Sequence, residues 1–169
     1  GQKCGIPIKT ANYSSEDGTF NSDNEYLTII NTARVKRMDL LEYYDSRQNI
    51  LDIERNTLFL LAEELERFKK EKGLKDFTDL LEDFIAKSLP GSLEVLFIDE
   101  AQDLSLIQWE MVRHLWKYAK KTYIAGDDDQ AIFKWAGADV DHFIALKEEV
   151  NDIKVLDQSY RIPGGPIHE

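Results

Sequence analysis

Three carboxylates at the end of the apolar segment VLFIDEAQD could together handle a metal-bound phosphate: Asp99, Glu100 and Asp103. Magnesium is bound by one or two carboxylates together with waters and phosphate oxygens, and another carboxylate can orient the attacking water. Consecutive residues leaving a strand direct their side chains differently. We therefore expect Asp99 to bind Mg²⁺ and Glu100 to activate water. A turn that merely caps the following helix explains the same residues equally well.

The elements that must position these acids follow Pro90-Gly91, where short apolar runs alternate with helical segments. The strand candidates are LEVLFID at 93–99, KTYIAGD at 121–127 and IKVLD at 153–157; the helix candidates begin at Leu106, behind a Ser105–Gln108 capping box, and at about Asp139. This order predicts an α/β fold with right-handed parallel crossovers. The unbroken apolar character of the first run predicts a strand buried on both faces, with helices on both sides of the sheet. Ligands of such sheets lie beyond the carboxyl ends of the strands, where Asp99 and Asp127 stand.

The preceding half of the chain is charged and has a helical period. One predicted face comprises Leu58, Leu61, Leu65 and Phe68, and a second comprises Phe77, Leu80, Leu81, Phe84 and Ile85. Gly73 separates these two amphipathic helices, and Asp76 is the predicted N-cap of the second. A turn-rich N-terminal segment is expected to lead into one further helix at about Glu25 to Tyr44.

Composition limits the partners of the chain. Its 169 residues are 43% hydrophobic, which is enough for a core, and its net charge of −11 opposes non-specific attraction to nucleic acids and anionic lipids. Any contact with nucleic acid must therefore be local. The single cysteine, Cys4, cannot form an intramolecular disulfide. The sequence shows no signal peptide and no apolar stretch approaching the roughly 18 residues of a membrane helix, so we expect a cytoplasmic protein with no membrane partner.

Three ordered motifs resemble those of a known family. DEAQD at 99–103, GDDDQAIFKWAGA at 126–138 and LDQSYR at 156–161 are similar to motifs II, III and IV of superfamily 1 DNA helicases of the UvrD/Rep type, and KDFTDLL at 75–81 is similar to the segment before motif II. The resemblance covers residues 75–161. It implies part of a RecA-like (P-loop NTPase) parallel sheet at 89–169, preceded at 1–88 by a mainly helical insertion subdomain of the kind called 1B.

The resemblance also implies cofactors and roles, residue by residue. Mg²⁺ and ATP would be the cofactors, with Asp99 on the metal in the Walker B position and Glu100 as the residue that activates water. Gln130 would touch the γ-phosphate and Arg161 would contact it, because a planar guanidinium suits charge developing on a transferring phosphoryl group. Tyr160 would stack on adenine.

Two aromatic residues of the second motif, Phe133 and Trp135, would stack on the bases of single-stranded DNA in this family. Such stacking is worth about 1–3 kcal/mol per base and is independent of sequence, so a translocating motor can use it. An ordinary core position is the competing interpretation, and it is stronger for Phe133. The family usually has Tyr at position 133 and a basic residue at position 136, where this chain has Ala136. DNA affinity through this loop is therefore expected to be reduced.

No phosphate-binding loop GxxxxGK[ST] occurs in the sequence, and GIPIKT at 5–10 has the wrong spacing and a proline. We therefore expect the chain to be a fragment of a longer helicase, with the remaining helicase domains as its partners. The fragment alone is expected to hydrolyse no ATP. One alternative is a non-catalytic DNA- or protein-binding module that has lost this loop. Another is a metal-dependent nuclease or phosphodiesterase built on Asp99, Glu100, Asp103 and the Asp127–Asp129 cluster.

Overall fold

The chain first forms helices and then a small parallel sheet. The computed structural model describes residues 24–47, 53–87, 91–131 and 137–156. The elements in order are α1 (Glu25–Val35), α2 (Leu40–Asp45), α3 (Arg55–Lys72), α4 (Phe77–Lys87), β1 (Leu93–Ile98), α5 (Leu106–Trp116), β2 (Ala119–Ile124) and α6 (Val140–Ala145). Short 3-10 turns lie at Ala101–Asp103, Asp128–Gln130 and Leu146–Glu148. Within these described ranges, no helix is both long enough and apolar enough to cross a membrane.

The single helix predicted at about Glu25 to Tyr44 is wrong, because the chain breaks it into α1 and α2. Arg37 adopts a left-handed conformation with φ of 55°, which ends the run of helical hydrogen bonds. The Asp39 side chain then accepts from the N–H groups of Leu41 and Glu42 and begins α2. An N-cap within the predicted helix therefore redirects the chain.

The boundary between α3 and α4 is confirmed. Gly73 ends α3 in the left-handed conformation, with φ of 63°. Asp79 N–H donates to Asp76 Oδ1 at 2.9 Å, and Asp76 N–H donates to Asp79 Oδ2 at 2.9 Å. This reciprocal pair satisfies backbone groups at the start of α4, so Asp76 is the N-cap that the sequence predicts.

The predicted apolar faces of α3 and α4 are only partly buried. Leu58 and Leu61 are buried against residues of α1, α2 and the segment before α3: Ile29, Ile30, Ala33, Tyr43 and Ile53. Leu81 of α4 is buried too, but Phe68, Phe77 and Leu80 are 42%, 52% and 53% exposed. The charged side chain of Lys69 is buried at the far end of α3, and its neighbour Phe68 turns outward.

The parallel pairing of the first two predicted strands is confirmed. β1 and β2 run parallel, with a register from Leu93 opposite Ala119 to Ile98 opposite Ile124. The third predicted strand is wrong for the residues the structure describes, since 152–156 form no strand and are exposed; Asp157 lies outside the described residues. An apolar run becomes a strand only where another strand edge lies within hydrogen-bonding reach.

Burial of β1 on both faces is also wrong. Helix α5 contacts the sheet, and a core of Ala101, Trp109, Val112 and Leu146 lies beside it. Phe97 and Tyr123 instead stack on one another, with ring centroids 5.1 Å apart, and are 73% and 54% exposed. Among the described residues, no layer of structure covers this second, apolar face of the sheet.

Candidate functional site

Parallel pairing places the predicted acids of both strands at the same end of the sheet. This end, formed by the residues that follow β1 and β2, is called the strand edge below. Parallel strands end on the same side of a sheet, so the residues after Ile98 and after Ile124 are neighbours. Ala125 N–H donates to Ile98 O at 2.8 Å, and Ala101 N–H donates to Ala125 O at 3.0 Å. These bonds continue the strand pairing and place Asp99 and Asp127 at the same edge.

The backbone turns sharply between Asp99 and Glu100. Glu100 has φ of 50° and ψ of 41°, a left-handed conformation that costs a residue with a side chain about 1–2 kcal/mol. Its N–H donates to Asp99 Oδ1 at 2.9 Å, which fixes the Asp99 carboxylate. Both residues are exposed at the strand end.

Gln102 is a residue of this edge that the sequence did not single out. Its side chain is almost completely buried, with 1% of the residue exposed. Its Nε2 donates to Glu100 Oε2 at 2.8 Å and makes a longer bond to Asp103 Oδ2 at 3.4 Å. Its Oε1 accepts from Asp127 N–H at 2.9 Å. One amide therefore joins the residues after β1 to those after β2.

Gly126 provides the space for that amide. A Cβ atom at this position would lie 2.8 Å from Gln102 Oε1 and 2.7 Å from Phe143 Cζ of α6. Both distances are far below ordinary van der Waals contact, so any side chain here displaces either the amide or the ring. The glycine before Asp127 is thus required by the packing around Gln102.

Asp127 organises the turn that follows β2. Its carboxylate accepts from Asp129 N–H at 3.1 Å through Oδ1 and from Gln130 Nε2 through Oδ2. The Gln130 side chain therefore points back toward the strand edge rather than away from it. Hydrogen bonds consequently run without a gap from Glu100 through Gln102 and Asp127 to Gln130.

Asp103 differs from the two exposed acids before it. Burial raises the pKa of its carboxyl group, and the negative charge of Glu100 raises it further. Its Oδ1 atom is buried without a hydrogen-bond partner. Among the described residues, no group of three or more His, Cys, Asp or Glu side chains is arranged to hold a metal ion by itself.

Comparison with known proteins decides the family. The sequence matches the UvrD/REP helicase N-terminal domain over residues 7–151. The chain belongs to this family. It is 31% identical over 106 residues to the ATP-dependent DNA helicase Rep of Escherichia coli K12, covering 56% of this chain and 16% of Rep. No solved structure matches the chain significantly.

Two further relatives have similar coverage. The ATP-dependent DNA helicase PcrA of Staphylococcus epidermidis is 32% identical over 97 residues, which is 51% of this chain and 13% of PcrA. The RecBCD enzyme subunit RecB of Buchnera aphidicola is 35% identical over 104 residues, which is 60% of this chain and 8% of RecB. The UvrD/REP-family chain thus spans a small part of the length of each of these relatives.

Four of the predicted site residues of this UvrD/REP-family chain lie outside the described residues: Phe133, Trp135, Tyr160 and Arg161. The segment after residues 132–136 is described and is held on two sides. Ala138 forms an antiparallel bridge with Ser105, and Asp139 N–H donates to Leu104 O at 2.9 Å. At Gly137, where φ is 108°, a Cβ atom would lie 2.7 Å from Val35 Cγ2 of α1. This flank is therefore fixed between the segment after β1 and the helical half.

Proposed function

We propose that the chain is part of an ATP-driven DNA helicase of superfamily 1 and that the edge formed by Asp99, Glu100 and Gln130 handles magnesium-bound ATP. The observation that carries this proposal is the hydrogen-bonded path from Glu100 through Gln102 and Asp127 to Gln130. Its two ends belong to the motifs that resemble the water-activating and phosphate-sensing motifs of the family. Rep and PcrA are both described as ATP-dependent DNA helicases, which supports the same substrates here.

Asp99 fits the role of a magnesium ligand. It is exposed at the strand edge, and its Oδ1 is held by the Glu100 N–H. In the described residues it has no cationic partner to compete with a metal. Magnesium in nucleotide sites typically takes one or two carboxylates and fills its shell with water and phosphate oxygens, so a multi-acid cluster is unnecessary. When bound, the ion would neutralise charge developing on the phosphates.

Glu100 fits the role of the group that orients and deprotonates the attacking water. It lies next to Asp99 in the chain, and Gln102 holds one of its oxygens, Oε2. Because both oxygens belong to one planar carboxylate, this contact also restrains the position of the other oxygen, Oε1. Gln130 would sense the γ-phosphate from the neighbouring strand end, tethered by Asp127.

The residues outside the described ranges complete the proposal through the family resemblance. Phe133 and Trp135 would stack on single-stranded DNA, Tyr160 on adenine, and Arg161 would contact the γ-phosphate. The segment 132–136, which includes Phe133 and Trp135 and would contact DNA, lies between Ala131 and Gly137 in the chain. Gly137 packs against Val35 of α1. The helices of 24–87 and the strands from Leu93 onward support a helical insertion at 1–88 and half of a RecA-like domain at 89–169.

The decisive experiment measures DNA-stimulated ATP hydrolysis by the full-length protein that contains this domain. Glu100→Gln keeps the shape of the side chain but removes the base, so we expect kcat to fall by at least about 100-fold while ATP still binds. Glu148→Gln is the matched control, because Glu148 is exposed in the turn after α6. Equal rates for wild type and Glu100→Gln would refute the proposed role of Glu100.

Two measurements on the isolated 169-residue chain test the remaining parts. Because it has no GxxxxGK[ST] loop, we expect no ATP turnover, and DNA-stimulated hydrolysis by this chain would contradict that expectation. Titration with single-stranded DNA should change tryptophan fluorescence in the wild type and much less in Trp135→Ala. An identical response in both would remove the stacking role. Metal-dependent cleavage of DNA without ATP would favour the nuclease alternative instead.

A further inference from the structure

The orientation of the Gln102 amide is fixed by its partners. The Asp127 N–H can only donate, so it requires the carbonyl oxygen of Gln102, 2.9 Å away. The Glu100 carboxylate oxygen Oε2 accepts, so it requires the amide nitrogen, 2.8 Å away. Each end of the amide therefore meets the one kind of group that it can bind, and the Gln102 residue itself is only 1% exposed.

The side chains closest to glutamine in shape each lose at least one of these two contacts. Glutamate keeps the oxygen for Asp127 but places a second carboxylate against Glu100. Asparagine is one methylene shorter, and methionine fills the volume without a donor or a comparable acceptor. Gly126 adds a second constraint, since its missing Cβ leaves the space that Gln102 Oε1 occupies. Position 102 is therefore matched to glutamine by hydrogen bonding and by space.

We propose that Gln102 is a positioning residue that holds Glu100 ready to activate water and links it mechanically to Gln130. The proposal rests on the proposed function of Glu100. Asp127 carries both the backbone N–H bound by Gln102 and the carboxylate bound by Gln130, so the link contains one residue of each strand end. A movement of Gln130 on meeting the γ-phosphate would shift Asp127, and through Gln102 it would alter the direction of the Glu100 carboxylate.

A neighbouring glutamine provides the contrast between positioning and plain stability. Gln108 Oε1 accepts from Ser105 N–H at 2.8 Å and caps α5. That bond is as short as the one between Gln102 and Glu100, but it ends on helix backbone and not on a site acid. Loss of Gln108 should therefore weaken the fold without redirecting Glu100.

The test compares Gln102→Met with Gln108→Met in the full-length protein, measuring kcat and KM for DNA-stimulated ATP hydrolysis and the thermal midpoint. We expect Gln102→Met to lower kcat by about 10- to 100-fold, as loss of a residue that orients a site ligand does, with KM for ATP changed by less than about threefold. Gln108→Met should lower the thermal midpoint through loss of the cap and leave kcat unchanged. A kcat loss shared by both variants would overturn the proposal.

Gln102→Glu guards against a folding defect in the methionine variant. It retains the length of the side chain and the acceptor for Asp127 N–H but sets a carboxylate against Glu100, so its kcat should fall at least as far, at a temperature where its circular dichroism spectrum matches that of the wild type. Full kcat in Gln102→Glu would overturn the positioning role. Glu100→Gln is measured alongside. If it retains full kcat, the proposed function fails; if it loses kcat while Gln102→Met and Gln102→Glu keep it, only the present inference fails.

Discussion

The helical half and the strand edge hold their acidic residues in opposite ways. In the helical half, Arg34 Nη1 lies 2.7 Å from Asp76, and Lys69 Nζ lies 2.9 Å from Asp79. Both cationic side chains are mostly buried, at 18% and 8% exposure. At the strand edge, backbone N–H groups and the side-chain amides of Gln102 and Gln130 hold the acids. Within the described ranges, no Lys or Arg pairs with Asp99 or Glu100.

The difference separates acids that stabilise the fold from acids that remain available to a ligand. A carboxylate paired with a buried cation has its charge compensated, and removal of either partner destabilises the fold because it leaves an uncompensated charge. A carboxylate held by neutral donors keeps its full charge and attracts whatever cation reaches the site. Substitutions in either region test this contrast.

Removing the buried cation should have the largest effect. Arg34→Met leaves Asp76 and Asp79 with Lys69 alone, and uncompensated charge in a partly buried site should lower the free energy of unfolding by about 3 kcal/mol. Urea denaturation of the chain measures it. The control is Arg67→Met, whose partners lie on the exposed surface of α3, with an expected loss below about 1 kcal/mol. Equal losses would show that the Arg34 cluster is no stronger than a surface pair.

Crowding the amide at the strand edge should have an intermediate effect. Gly126→Ala places a methyl group 2.8 Å from Gln102 Oε1 and 2.7 Å from Phe143 Cζ, and the repacking should cost about 1–3 kcal/mol in the free energy of unfolding. Gly91→Ala is the matched control, because a Cβ there meets nothing within 4 Å. Denaturation curves of the two variants that coincide would mean that the packing around Gln102 is loose.

Titration with acid should give small effects of opposite sign in the two regions. Burial raises the pKa of the Asp79 carboxyl, but the Asp76 N–H, Lys69 and Arg34 outweigh it and hold that pKa below its usual value. Its contribution is therefore present above the unfolded pKa of about 3.9 and is lost as the pH falls through the lower folded pKa. Asp79→Asn should flatten the loss of stability in acid.

Asp103 should behave in the reverse manner. Its pKa is raised by burial and by Glu100, so its ionised form costs stability at neutral pH. That cost disappears as the pH falls through its folded pKa. Asp103→Asn should thus be more stable than wild type at about pH 7 and lose this advantage in acid. Unfolding free energies measured from about pH 7 to pH 3 test both acids, and slopes of the same sign would contradict the comparison.

Local signals in the sequence were sufficient for features that depend on neighbours along the chain. Gly73, Asp76 and the Ser105–Gln108 pair each act within one helical turn, and the structure confirms all three. The apolar run of β1 and the acids after it were predictable for the same reason. Asp39 carried a comparable N-cap signal inside the predicted helix at 25–44, but the surrounding helical period masked it.

Features that depend on distant partners could not be predicted in this way. Gln102 is bound to the N–H of a residue 25 positions later, and glutamine at the start of a helical segment is ordinarily a surface residue. The segment IKVLD has the composition of a strand, but composition does not reveal whether a strand edge lies within reach. The roles of Phe133, Trp135, Tyr160 and Arg161 stay predictions, since they lie outside the described residues.

The left-handed conformation of Glu100 has a consequence for how this position can vary. Glycine or asparagine would adopt φ of 50° with little or no strain, whereas glutamate carries it at a cost of about 1–2 kcal/mol. Selection for stability alone would therefore favour replacement of glutamate at this position. A chain that keeps glutamate here would reflect selection for catalytic turnover at the expense of stability. A homologue with glycine at this position is expected to be more stable and catalytically inactive.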